Sequence, residues 1–570
     1  MLCRKMDVLT MIGKKNYQGN KTENAAMVHS LFHEAACTKL GSSISGLSKK
    51  TIRLFNIIII FFPLTIAVIF SLVYMFGGWG NIIENHTLDF YFLQKVEFSF
   101  ISIITLLLWI AIICACTYAI LKISGRIENK RLSCFFIFTS IFVIAFGIRF
   151  FLLIYFSERV FPFSDFRNVL ELAKGNLEEG YFNYYCLFPS YLNFSIYERT
   201  VLNTFGNEYV NILYINAVYS GLTASLVFLI CREINDNKWI GILAGIIYAM
   251  YPSNIVFITT GTPDFLSVFF NSLGLYMFIR AYRTKNIKFS ILFYLIGGVS
   301  LGIGSSFKTF SLVILIAFAI VMIARFVIIE KKSKFLISLS AIMLIVFFAY
   351  KAPVELIMRN TEEIYGVKLS SETAVPHYLL IGLNTESEGQ IHLGTLSRSY
   401  YSKYLSNGMD YKAAKSYAND LLIENLKNNK DNILPDLLKK MIWAWQDDSI
   451  PVSCFTTSLD STYKYSQHYE LFMFVLDDYW SLVHFAYFLI MFFALIGCIA
   501  FARNKKINLK YEFVALVIFG YFCMILISEA QSRYKCLVMP YIVIVSALGI
   551  NKIYNFYTKH KKMIYKQSRG

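Results

Sequence analysis

Apolar runs of about 20 residues recur from end to end of this 570-residue chain, and no other feature restricts its fold as tightly. A hydrocarbon layer about 30 Å thick is crossed by about 20 apolar residues in a helix, and inside it every backbone polar group must be bonded within the spanning structure. Twelve segments fit, near 54–76, 99–121, 134–156, 207–230, 239–257, 264–281, 289–306, 308–328, 335–352, 480–502, 511–528 and 537–555. Hydrophobic residues make up 56% of the chain and the mean hydropathy is +0.53, far from a soluble average. The expected fold class is an α-helical polytopic membrane protein.

The net charge of +17 does not indicate nucleic acid, because the basic residues come in short clusters between the apolar runs rather than along one polar face. Lys122, Arg126, Lys130 and Arg131 follow the second run, and Arg280, Arg283, Lys285 and Lys288 the sixth. Lys331, Lys332 and Lys334 follow the eighth, Arg503, Lys505, Lys506 and Lys510 the tenth, and Lys559, Lys561 and Lys562 the twelfth. By the positive-inside bias these connections are cytoplasmic, as are both termini. Two long segments then lie outside, Ser157–Gly206 and Ala352–Trp480. Within them Asp165–Gly180 has the pattern of an interfacial helix, with Phe166, Val169, Leu170 and Ala173 on one stripe, and Tyr411–Leu426 that of an amphipathic helix. The basic N-terminal 53 residues show no cleavable signal and read as a cytoplasmic tail. Eleven cysteines and eight histidines are scattered without CxxC or metal-ligand spacing, so neither a disulfide framework nor a zinc site is expected.

Ionisable residues are costly at membrane depth, so their placement is informative. On this topology they gather at the outer face: Asp165 in FPFSDF, Asp264 in TTGTPDF, Lys308 in GSSFKTF, and Glu529 and Arg533 in SEAQSRYK. Each also has a plainer reading. Ser164 would cap a helix with Asp165 in its first turn, and Thr262-Pro263-Asp264 reads as cap, first-turn proline and dipole-favoured acid. Lys308 would snorkel to the headgroups, and Glu529 with Arg533 would be an i,i+4 pair at a helix end. The centres of the runs are nearly free of charge, and Arg149, in the outer half of the third, is the main exception.

These residues, in this order, resemble the protein-O-mannosyltransferase-like branch of the GT-C glycosyltransferases, which includes the aminoarabinose transferases. The stretch from Cys134 to Tyr350 looks like that family's membrane module, and EAQSRYKCLVMPY resembles its E-x-x-x-R-Y…P segment, matching Glu529, Arg533, Tyr534 and Pro540. The resemblance implies a GT-C-like bundle of about 12 transmembrane helices with an external amphipathic-helix loop and a larger external α-rich region. It casts Asp165 and Asp264 as the catalytic acids, Lys308 and Arg533 as donor-phosphate ligands, and Glu529 and Tyr534 as supporting groups. HYLLIGLNTESEG (377–389) resembles a further stretch of Gram-positive relatives and carries no role. The chain departs from many members in one respect: Asp165 stands between Ser164 and Phe166 rather than beside a second acid.

The implied organisation is a cytoplasmic tail over 1–53, a transmembrane hairpin over 54–121, and the GT-C-like module over 122–352 with its catalytic loop at 157–206. An external region over 353–479, C-terminal transmembrane helices over 480–556 and a tail over 557–570 complete it. The implied activity is inverting transfer of a sugar from a polyprenyl-phosphate donor to a lipid, protein or wall-polymer acceptor outside the cell, with Asp165 as base. No metal ligand or cofactor is assigned, although a divalent cation is compatible with the chemistry. The composition, rich in Ile, Asn, Lys, Phe and Tyr, resembles that of AT-rich Gram-positive bacteria. The alternatives are a multi-span transporter or flippase, which would carry ionisable groups near the midplane in broken helices, and a polymerase or ligase of cell-envelope glycopolymers.

Overall fold

The computed structural model describes residues 63–75, 99–326, 333–370, 372–384, 395–459, 467–502 and 508–567. The N-terminal tail, the start of the first expected span, and Lys331, Lys332, Arg503, Lys505 and Lys506 of the basic clusters lie outside them. Among the described residues every extended element is a helix, and the sole β feature is an isolated antiparallel bridge between Val160 and Leu459.

Where the expected segments fall on described residues they are largely helical, although fewer than twelve satisfy a strict length and hydropathy test. Eight helices are long and apolar enough to cross a membrane, or nine if a bent pair is one span. The bent pair is Lys238–Ala249 and Pro252–Thr259, which meet at 52°. Pro63–Met75 and Ser311–Arg325 are apolar but shorter. Met539–Gln567 joins the protein core through its first half, where Tyr541 to Val545 are all buried, and turns basic beyond Lys559. The chain is a multi-pass helical membrane protein.

The helix ends near the basic clusters are fixed by asparagine. Asn129 accepts from the backbone amides of Arg131 and Leu132, Asn237 from Trp239, Asn286 from Lys288, and Asn508 from Lys510 and Tyr511. A short side-chain carbonyl at this position satisfies amides that the helix cannot bond itself.

Glycine lets the central helices approach closely. Asp264–Arg283 packs along Ile287–Phe307, which packs along Ser333–Tyr365. A Cβ on Gly274 would lie 2.7 Å from Leu301 Cγ, and one on Gly298 would lie 2.7 Å from Ala349 Cβ. Small residues are favoured where membrane helices touch, because lipid tails offer no hydrophobic drive and packing must supply it.

Arg149 is fully buried and donates to the carbonyls of Ala145 and Ala249, both at 2.9 Å. Ala249 ends the first half of the bent pair, so the guanidinium bonds a carbonyl next to the break before Pro252. Arg149 therefore ties the third apolar run to the end of Lys238–Ala249.

Candidate active site

Asp165 is carried by the helix Ser164–Lys174, whose buried face is Phe166, Val169, Leu170, Leu172 and Ala173, the stripe expected from the sequence. The helix is shorter than expected because Gly175 turns left-handed (φ 81°) and ends it, and a second helix, Glu179–Tyr185, follows. Ser164 does not cap this helix. Phe163 is the N-cap and makes no side-chain cap bond, while Ser164 itself takes φ 50°. Non-glycine residues adopt this region rarely and at a cost, which here falls beside the acid. Tyr185 donates a hydrogen bond to Asp165 Oδ1 at 3.1 Å.

Asp264 opens the helix Asp264–Arg283, and its partners go beyond an ordinary helix start. Thr262 Oγ1 donates to Asp264 Oδ2 at 2.8 Å and also accepts from the Asp264 amide at 3.3 Å. The other oxygen, Oδ1, lies 3.4 Å from Lys308 Nζ. Lys308 therefore does not simply snorkel to headgroups: its ammonium faces a carboxylate that is 4% exposed.

Glu529 does not share a helix with Arg533. Leu509–Ile527 ends before it, and Arg533 belongs to the 3-10 turn Ser532–Leu537. The i,i+4 reading fails because extended backbone at Gln531 (φ −137°, ψ 140°) separates the two. Glu529 is buried and accepts from Tyr534 Oη at 2.9 Å and from Gln531 Nε2. Burial pushes its carboxyl upward, and the Arg533 guanidinium opposes that shift.

One cavity of about 210 Å³ unites most of these groups: Asp165, Glu529, Arg533 and Tyr534 all line it. Arg533 lies over the rings of Phe166 and Tyr534, its guanidinium carbon 5.6 and 5.3 Å from their centroids. Lys308 Nζ is 5.1 Å from the Tyr534 centroid, so two cations lie near one phenol. Asp264 and Lys308 are not among the residues that line the cavity, and Lys308 meets it through Tyr534.

Sequence reasoning missed two parts of this site. Tyr184, Phe188, Tyr191, His377 and Tyr378 also line the cavity, and in an aromatic-rich chain no spacing singled them out. The second part is an ion cluster that anchors the Arg533 turn. Lys535, fully buried, donates to the carbonyls of Ala444 (2.7 Å) and Asp447, and lies 3.8 Å from Asp448 Oδ1. Tyr251 donates to Asp448, and Ser449 to Asp447. Burial lowers the Lys535 ammonium pKa and raises both carboxyls, each shift being opposed by the opposite charge alongside. Adjacent acids at 447–448 and a second cation two residues after Arg533 were the available signal.

Among the described residues no three His, Cys, Asp or Glu side chains converge to hold a metal ion. Asp165, Glu529, His377 and Cys454 all line the cavity, but no three of them converge on one point as a metal ion would need.

Residues 197–350 match the family model described as dolichyl-phosphate-mannose-protein mannosyltransferase. That stretch contains Asp264 and Lys308, while Asp165, Glu529 and Arg533 lie outside it. No curated protein sequence matches the chain. Solved structures of the Archaeoglobus fulgidus oligosaccharyltransferase are similar at low identity. Its apo form shows 14% identity and a TM-score of 0.39, covering 75% of this chain and 52% of that one. Its complex with zinc and sulfate shows 16% and 0.35, covering 65% and 41%. The archaeal oligosaccharyltransferase AglB bound to an inhibitory peptide and a dolichol-phosphate shows 13% and 0.27, covering 72% and 56%. The chain thus spans about half the length of the solved structures it matches. With the helical membrane bundle described above, the match over residues 197–350 bears out the resemblance read from the sequence, to the protein-O-mannosyltransferase-like branch of the GT-C glycosyltransferases.

Proposed function

We propose that this protein is a membrane glycosyltransferase that moves a sugar from a polyprenyl-phosphate carrier to an acceptor hydroxyl at the extracytoplasmic face. The observation that carries the reading is that a carboxylate, Asp165, and a guanidinium, Arg533, line the same cavity at the ends of apolar helices. Such transfer needs both. The bond between the anomeric carbon and the phosphate oxygen breaks as the bond from the acceptor oxygen forms, the acceptor proton passes to a base, and the phosphate leaves with added negative charge.

In this reading Asp165 takes the proton, with Tyr185 fixing the orientation of its carboxylate. A positioned base contributes about 10²–10⁴ in rate. Arg533 holds the phosphate, for which its planar fork is suited, and Lys308 adds a point charge from beside Tyr534. Asp264 orients Lys308 rather than touching the sugar. Glu529 and Tyr534 hold each other against the turn that carries Arg533. The Lys535 cluster anchors that turn from below. A single displacement of this kind inverts the anomeric centre.

The domains follow the same logic: a transmembrane hairpin over 54–121, the module over 122–352 with its loop at 157–206, an external region over 353–479 that closes the cavity with His377 and Tyr378, and C-terminal spans over 480–556 that bring Arg533. The test is to offer isolated membranes a panel of labelled polyprenyl-phosphate sugars and compare wild type with Asp165→Asn. Transfer that is present in the wild type and absent in the variant, at equal protein level, supports the reading. Equal transfer in both removes Asp165 from the chemistry.

A further inference from the structure

His377 is 4% exposed, lines the cavity that holds Asp165 and Arg533, and belongs to the HYLLIGLNTESEG stretch that the mechanism leaves unused. Among the described residues neither ring nitrogen has a hydrogen-bond partner. Leaving a polar group buried and unsatisfied is costly, so one in a cavity wall points to a partner that arrives with the ligand.

The surroundings restrict what that partner can be. The imidazole meets the Phe188 ring edge-on at 5.0 Å and the Tyr184 ring at 6.3 Å, and both aromatics line the same cavity. Burial pushes the imidazole pKa down to about 4, so the ring stays neutral at ordinary pH. A neutral imidazole offers one donor and one acceptor, and a hydroxyl group, with one donor and two lone pairs, can answer either nitrogen.

We propose that His377 hydrogen-bonds a hydroxyl of the sugar being transferred, and so makes the cavity select a sugar that carries that hydroxyl over one that lacks it. This rests on the glycosyl-transfer reading above. His377 is then a specificity-determining residue, and it is distinct from the Asp165 base and the Arg533 phosphate ligand.

The experiment uses full-length protein in membranes, first with labelled polyprenyl-phosphate donors carrying neutral hexoses, a uronic acid or an amino sugar. The best donor is then compared with its monodeoxy analogues, using wild type, His377→Phe, His377→Gln and His377→Ala. In the wild type one deoxy analogue should lose about 10- to 100-fold in kcat/KM, the size of a lost buried hydrogen bond. His377→Phe should lose a similar factor on the parent sugar and nothing further on that analogue, while His377→Gln, which keeps a donor and an acceptor, recovers part. Should His377→Phe fail to accumulate, His377→Ala supplies the same comparison. Wild-type kcat/KM on the parent sugar in these variants, or equal losses on every deoxy analogue in wild type and variant alike, overturns the assignment and leaves the transfer reading standing. A wild type inactive with every donor overturns both.

Discussion

Asp264 holds Lys308 through a contact of 3.4 Å between its Oδ1 and the ammonium nitrogen, at a place where the acid side chain is 4% exposed and the lysine 20%. Removing one partner of such a pair leaves the other charge with little water to replace it, which costs about 3–5 kcal/mol. Asp264→Ala should therefore lower the melting temperature in detergent, and Lys308→Met added to it should recover part of the loss. Losses that simply add would show that the two groups do not depend on each other.

Tyr185 acts on the reaction through Asp165. Its phenol donates the 3.1 Å bond that fixes the carboxylate, and a hydrogen bond to a charged group is worth about 1.5–3 kcal/mol. Tyr185→Phe should lower kcat by about ten- to a hundredfold, leave donor KM nearly unchanged, and spare the protein level. Steady-state kinetics on purified protein provide the check, and a variant with altered KM alone would place Tyr185 in binding instead.

Lys440 gives the fold a pH dependence. In the helix Ile433–Trp445, its amine donates to the carbonyls of Gly382 (2.7 Å) and Leu526 (3.0 Å), and burial lowers its pKa from 10.5 to about 7. Between those two values the unfolded chain binds a proton that the folded chain does not, so stability rises with pH. The gain is complete above about pH 10.5, falls progressively as pH drops from there, and is gone below about 7. Melting temperature should climb over this window in wild type and climb less in Lys440→Met; parallel profiles would remove Lys440 as the source.

Gly497 and Gly549 let Gln467–Ala502 and Met539–Gln567 touch backbone to backbone. A Cβ on Gly549 would collide with the Phe493 carbonyl, and one on Gly497 with the Val545 carbonyl. Neither carbonyl can swing aside as a flexible side chain would. Gly549→Val should abolish accumulation of folded protein while Gly125→Val, where no atom lies within 4 Å of the added Cβ, is tolerated. Size-exclusion profiles of the two variants make the comparison.

The membrane bundle was legible because hydrophobic length and basic clusters are local signals. Asp165 and Arg533 were legible as candidates, since an ionisable residue beside an apolar run stands out. The partners were harder to read. Asp264 and Lys308 were both marked, yet their contact depends on how Ile287–Phe307 packs along Asp264–Arg283, which glycine spacing permits but does not reveal. The plainer reading of Glu529, an i,i+4 pair with Arg533, rests on the helical spacing of E-x-x-x-R, whereas extended backbone at Gln531 breaks the run. Tyr185 was invisible in a chain with 38 tyrosines, because only folding brings its phenol to Asp165, and His377 lay in a stretch the sequence marked without a role until folding set it in the cavity wall. The Lys535 cluster joins segments nearly 90 residues apart, beyond the reach of any periodicity.

Separating donor binding from turnover in single variants tests the central claim most directly. Purified wild type, Asp165→Asn and Arg533→Ala should each be measured for equilibrium binding of a labelled polyprenyl-phosphate sugar and for transfer of that sugar. The account predicts that Asp165→Asn binds the donor like wild type yet transfers nothing, and that Arg533→Ala loses affinity at least tenfold. Transfer by Asp165→Asn at the wild-type rate, or undiminished donor affinity in Arg533→Ala, would contradict it.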